Sequence, residues 1–180
     1  MKKFIILLMT LIVLGFAGCY VWINMGLSQA VNEKTLNITY EDLMNNEHIQ
    51  SLDWEMQKIY EGGPFFDKYT EYETTQISNS IEEKILIRVD NSTKEVETIS
   101  IYFDVDEPEE ISSAQLTASL YAAFFSSAVD KNITEEARAN ITHMLMNMSE
   151  YGNMDSFIFH DIKYSVGLIN SYAFVITAEN

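Results

Sequence analysis

Lys84-Ile85-Leu86-Ile87-Arg88-Val89-Asp90-Asn91-Ser92-Thr93-Lys94 runs directly into Glu95-Val96-Glu97-Thr98-Ile99-Ser100-Ile101-Tyr102-Phe103-Asp104-Val105, and these 22 residues decide the fold. Ile85, Ile87 and Val89 alternate with Lys84, Arg88 and Asp90, while Ile99, Ile101, Phe103 and Val105 alternate with Thr98, Ser100, Tyr102 and Asp104. A period of two puts the apolar set on one face of each strand and the polar set on the other. The link Asp90-Asn91-Ser92-Thr93-Lys94 is rich in turn residues, so the two runs form a β-hairpin. A weaker strand near Tyr72–Ile77 is placed to pair with it.

Upstream, Thr39 reads as a helix N-cap with Asp42 in the first turn. It opens a helical stretch to about Glu61, with Leu43, Ile49, Leu52, Met56 and Ile59 as its apolar stripe, and Gly62-Gly63-Pro64 ends it. Downstream, Pro108-Glu109-Glu110 opens a helix to about Val129, with proline suited to a first turn and carboxylates to the positive end of the dipole. That helix carries Leu116, Leu120, Ala123 and Phe124. Thr134 caps a further helix whose buried line is Ala137, Ile141, Leu145 and Met148, and Gly152 stops it. Strands follow at Phe157–Phe159, at Ile162/Tyr164/Val166/Leu168 and, past a turn at Asn170-Ser171, at Tyr172/Phe174/Ile176.

Helices then strands, twice, predict an α+β fold with helices packed on one face of an antiparallel sheet, in two helix-then-strand halves. In element order alone this is similar to the tandem helix-helix-sheet architecture of secreted β-lactamase-inhibitor-like domains.

The N-terminal segment sets the compartment. After Met1-Lys2-Lys3 comes a run of 22 uncharged residues, Phe4 to Met25, holding the single cysteine, Cys19. About 20 apolar residues span a bilayer as a helix, with the lysine pair retained in the cytoplasm, which gives an uncleaved anchor. Phe16-Ala17-Gly18-Cys19 also resembles the lipobox of bacterial lipoproteins, in which small residues precede a lipidated cysteine; Phe16 stands where Leu, Val or Ile is commoner. That resemblance implies lipidation at Cys19 and a membrane anchor, and no activity. Ser28-Gln29-Ala30 offers a third route, cleavage and release. Each route leaves the body outside the cytoplasm, so residues 1–30 are expected to be signal or anchor plus tether, and residues 31–180 one acidic domain.

Composition narrows the partners. The chain of 180 residues has a formal net charge of −16; without Lys2 and Lys3, nine basic residues stand against 27 acidic ones. Such a charge repels nucleic acid and anionic lipid and favours a partner with a basic surface. With Cys19 in the anchor, the body has no thiol for a disulfide or a zinc-thiolate site. Neither a metal nor a cofactor is expected. Five Asn-x-Ser/Thr sequons, at Asn37, Asn91, Asn132, Asn140 and Asn147, follow from an Asn-rich composition and carry no glycosylation in a bacterial envelope protein.

Two groups stand out for binding. Asp104, Asp106, Glu107, Glu109 and Glu110 put five carboxylates in seven residues, within a stretch (71–110) of 12 acids and 3 bases. Calcium would need six to eight oxygens and a sharp glycine turn; here Pro108 interrupts the cluster and no glycine follows, so a docking surface is the better reading. Tyr60, Phe65, Phe66, Tyr69 and Tyr72 form the densest aromatic group, which fits a partner hot spot or a sugar-stacking face. His48, His143 and His160 share no ligand spacing; His160-Asp161 reads as a turn between strands. No nucleophile elbow, phosphate loop or paired Cys-x-x-Cys occurs. The expectation is a non-enzymatic, membrane-tethered binding protein of the bacterial cell envelope with an acidic docking surface. The alternative is a secreted inhibitor or carbohydrate-binding module that uses Tyr60–Tyr72.

Overall fold

In a computed structural model, residues 34–62, 68–78, 81–105 and 107–179 are described. Cys19, Phe65, Phe66 and Asp106 therefore lie outside the described residues. In chain order the elements are α1 (Tyr40–Met44), α2 (Glu47–Gln50), β1 (Gln57–Glu61), β2 (Tyr69–Ser78), β3 (Ile81–Asp90), β4 (Val96–Phe103), α3 (Pro108–Val129), α4 (Glu135–Asn147), β5 (Asn153–Phe159), β6 (Ile162–Leu168) and β7 (Tyr172–Ala178).

The expected hairpin forms the middle of the sheet. β3 and β4 pair antiparallel with Ile85 opposite Ile101 and Ile87 opposite Ile99. β4 pairs antiparallel with β7, setting Ile99 against Ile176, Ile101 against Phe174 and Phe103 against Tyr172. β6 continues the row, with Tyr164 opposite Ile176 and Val166 opposite Phe174. The order is β1-β2-β3-β4-β7-β6-β5, so two meanders meet along their last strands. Directly opposed residues share a face, and every residue of this row is buried. The intervening positions Lys84, Leu86, Arg88, Thr98, Tyr102 and Val175 are half-exposed. The architecture is thus mixed α/β: one seven-stranded antiparallel sheet with four helices, strands predominating.

Side chains from the helices reach the same buried row. Tyr121 of α3 stacks on Phe103 at 6.3 Å and donates its hydroxyl to the Glu83 carboxylate at 2.5 Å. The Tyr172 hydroxyl donates to the Leu145 carbonyl of α4 at 2.7 Å. Gln115 joins the two long helices by donating to the carbonyls of Met146 and Met148. The helix starts are capped as their sequences dictate. Thr39 accepts from the Asp42 N–H and Thr134 from the Ala137 N–H, and the Glu110 carboxylate accepts from the Glu107 N–H at 3.1 Å.

Two sequence expectations give way. The single helical stretch from Thr39 to Glu61 is instead two short helices and strand β1. Asn45 caps the end of the first, Asn46 caps the start of the second, and Asp53 turns into the left-handed region at φ 52. Asn and Asp compete with the helix ladder through their own hydrogen bonds, and here that local chemistry overrides a loose apolar stripe. On α3 the stripe through Leu116 and Leu120 faces solvent, at 64 % and 49 % exposure. The buried side is Ile111, Ala114, Ala118, Tyr121, Ala122 and Phe125. Alanines and aromatic residues, rather than leucines, thus mark its buried side. Among the described residues, no helix is long and apolar enough to cross a membrane.

Candidate functional site

The acidic residues of 71–110 fall mainly into four settings. Glu71 pairs with Arg88 at 2.9 Å and Glu73 with Lys84 at 2.7 Å. Glu83 and Glu97 are buried, at 2 % and 7 % exposure. Asp90 holds the hairpin turn by accepting from Ser92 and Thr93; burial pushes its carboxyl up, but these bonds outweigh that and hold it below the ordinary aspartate range. Glu82, Asp104, Glu107 and Glu109 remain exposed.

These four gather at one end of the sheet, where β3 begins, β4 ends and α3 starts. The Asp104 N–H donates to the Glu82 carbonyl at 3.0 Å, and Tyr151 closes the same end by donating to the Val105 carbonyl at 3.2 Å. Among the described residues none of the four pairs with a lysine or arginine. The cluster Asp104, Glu107, Glu109 and Glu110 is thus brought to one place, with Glu107 and Glu110 also serving as the helix cap. Sequence reading missed Glu82, which joins the group only through the register of the hairpin.

The aromatic group is only partly described. Tyr60 and Tyr69 sit on neighbouring strands with ring centroids 5.3 Å apart, and the Arg88 guanidinium lies 4.3 Å over the Tyr69 ring. Tyr72 stacks on Tyr40 at 4.0 Å; burial first, and then Tyr72, push the Tyr40 phenol up to about 12. Tyr60 and Tyr69 therefore face away from Tyr72, because Tyr60 opposes Glu71 whereas Tyr72 opposes Ile87 of the buried row.

At the opposite end of α3 lies a cleft that no sequence motif announces. Asp130, the C-cap of α3, is 8 % exposed, and its carboxylate accepts from His160 Nδ1 at 2.8 Å and from the Asn132 N–H at 2.9 Å. His160 and Asp161 form the two-residue turn between β5 and β6, as the sequence indicated, both in the left-handed region at φ 50 and φ 61. The cleft comprises two adjoining pockets, of about 630 Å³ and about 300 Å³, whose linings share Asn37, Val129 and Asp130. His160 is separated from Asp130 by 30 positions in sequence, so no spacing rule reveals the pair. Among the described residues no group of three His, Cys, Asp or Glu is arranged to hold a metal ion.

No protein family matches this chain, and no curated protein or solved structure does either.

Proposed function

We propose that this chain is a membrane-tethered, extracytoplasmic binding protein of the bacterial cell envelope, non-enzymatic, whose acidic end docks a protein with a basic surface. The N-terminal segment through Cys19 supplies the tether. The helices, packed on the buried face of the sheet, hold the acidic end in a fixed shape. The observation that carries this reading is the bare carboxylate group of Glu82, Asp104, Glu107 and Glu109, which no lysine or arginine among the described residues neutralises. Opposed charge steers encounter and fixes orientation, and exposed charges are screened over roughly 8 Å at physiological ionic strength.

Affinity capture from an envelope extract tests this, with the wild type beside Glu82→Lys/Asp104→Lys/Glu109→Lys. The expected result is a saturable protein partner, released by salt and absent from the triple variant. A partner retained by that variant, or no saturable partner at low salt, refutes the docking assignment. Intact mass of the membrane-derived protein, native against Cys19→Ser, tests the tether: acyl mass on Cys19 that vanishes in the variant establishes lipidation.

A second reading, an inhibitor or carbohydrate-binding module, is favoured by Arg88 over Tyr69 beside Tyr60, an amphipathic group typical of hot spots. Binding lost on Phe65→Ala/Phe66→Ala, and kept in the acidic-end variant, selects that reading.

A further inference from the structure

The cleft at the C-terminal end of α3 is constructed against local preference. A carboxylate at the end of a helix meets the negative pole of the dipole, yet Asp130 occupies that place with no basic residue in the last turn of α3. Among the described residues, three of the five non-glycine residues in the left-handed region, Asn37, His160 and Asp161, line the cleft. The left-handed residues are those of an ordinary hairpin turn and an asparagine, so it is the placement of Asp130 against the dipole, inside a cavity, that points to use rather than to stability.

The lining identifies a ligand class. Asp130 accepts from His160 Nδ1, and His160 Nε2 has no hydrogen-bond partner among the described residues. Asn37, Asn45 and Asn132 each bring an amide, a donor and an acceptor side by side, and Asn46, whose oxygen caps α2, brings its amide N–H. Val129, Ile38, Ile162 and Ala178 give aliphatic surface between them. The charges nearly cancel, with Asp42, Asp130 and Asp161 against Lys34 and Lys131, so the cleft selects neither an anion nor a cation strongly. Below it the Tyr164 hydroxyl is fully buried without a partner among the described residues, and the Asp130 charge helps to keep it protonated.

We infer that this cleft binds an uncharged saccharide, with His160 Nε2 and the asparagine amides bonding ring hydroxyls and the aliphatic floor covering a ring's C–H face. A hydroxyl both donates and accepts, which matches adjacent amide donors and acceptors, and the volume falls within the range of about 300–1,000 Å³ usual for small-molecule sites. The role of Asp130 is positioning: its bond to Nδ1 holds the His160 ring in place. This site is separate from the acidic end, and neither assignment depends on the other.

Saturation-transfer NMR with full-length protein in detergent micelles tests the inference, using N,N′-diacetylchitobiose and cellobiose as neutral probes and digalacturonic acid as the anionic one. The expected result is saturable transfer from at least one neutral disaccharide, weakened about tenfold or more in His160→Asn, a change that keeps a residue tolerant of the left-handed turn. Lys163→Ala leaves it unchanged. Should His160→Asn fail to fold, Asn132→Leu on the exposed rim gives the same comparison. No transfer from either neutral disaccharide overturns the proposal. So does transfer that survives the cleft variants, and so does a preference for the digalacturonate.

Discussion

Tyr121, Tyr164 and Tyr172 make the fold vulnerable to alkali in a way the structure quantifies. Their exposures are 6 %, 0 % and 0 %. Burial pushes each phenol well above its ordinary value of 10.0, aided at Tyr121 by the bond to Glu83 and at Tyr164 by the charge of Asp130. A folded-state pKa above the unfolded one means that the stabilising contribution is complete below pH 10 and is lost as pH rises above it. At pH 11 each phenol of the unfolded chain gains about 1.4 kcal/mol by ionising, while the buried ones gain almost nothing. Three such groups remove about 4 kcal/mol, a large share of the roughly 5–15 kcal/mol by which domains are stable. Urea unfolding of the full-length protein in micelles, followed by circular dichroism at pH 8, 9, 10 and 11, measures this directly. Tyr164→Phe should recover about 1.4 kcal/mol of the alkaline loss, and at pH 8 it should be more stable by about 1 kcal/mol because a buried orphan hydroxyl is gone. Native-state phenolate absorbance below pH 11 that Tyr121→Phe, Tyr164→Phe or Tyr172→Phe diminishes, or stability that falls by less than about 1 kcal/mol between pH 9 and 11, would refute the reasoning.

Further outcomes follow from single contacts. Tyr121→Phe removes the donor from the Glu83 carboxylate, which is 2 % exposed, and should cost about 3 kcal/mol in chemical denaturation. Adding Glu83→Leu should restore most of that loss, because the uncompensated carboxylate goes with it. Leu145→Ala in the buried line of α4 should cost about 2–5 kcal/mol, whereas Leu116→Ala, at 64 % exposure, should change stability by under about 0.5 kcal/mol; the reverse order would mean that α3 presents its other face. Gly152 stands at φ +87 in open space, so Gly152→Ala should cost about 1 kcal/mol from backbone strain alone, and Gly152→Asn less.

The hairpin was legible because its information is local: a period of two, a polar turn and β-branched residues say the same thing from Ile85 to Phe103. Caps were legible for the same reason, and Thr39, Pro108 and Thr134 open the helices where they were expected. The inner face of α3 was not, because Leu116 and Leu120 are its strongly apolar leucines, yet the buried residues are Ala114, Ala118 and Ala122 together with Tyr121 and Phe125. Which face packs is settled by the partner surface, and that surface is formed by residues such as Phe103 and Tyr172, far away in sequence. At the acidic end, the run Asp104–Glu110 could be read from the chain, while Glu82 joins only through strand pairing. Nothing local linked Asp130 to His160, since a helix cap and a hairpin turn each looked complete by itself.

The placement of these two regions follows from how the halves of the fold meet. Because β4 and β7 pair antiparallel at the centre, the ends of both final strands point in opposite directions, β4 ending beside the acidic group and β7 beside the cleft. α3 connects the halves and runs from the first region to the second over 22 residues, or about 33 Å. That is roughly four screening lengths at physiological salt, so the charge of one end is not felt at the other. The chain enters the described body at Lys34, on the cleft side. The rigidity that keeps the ends apart comes from the apolar row through Ile101, Phe174 and Val166, the same alternation that made the central hairpin readable in the sequence.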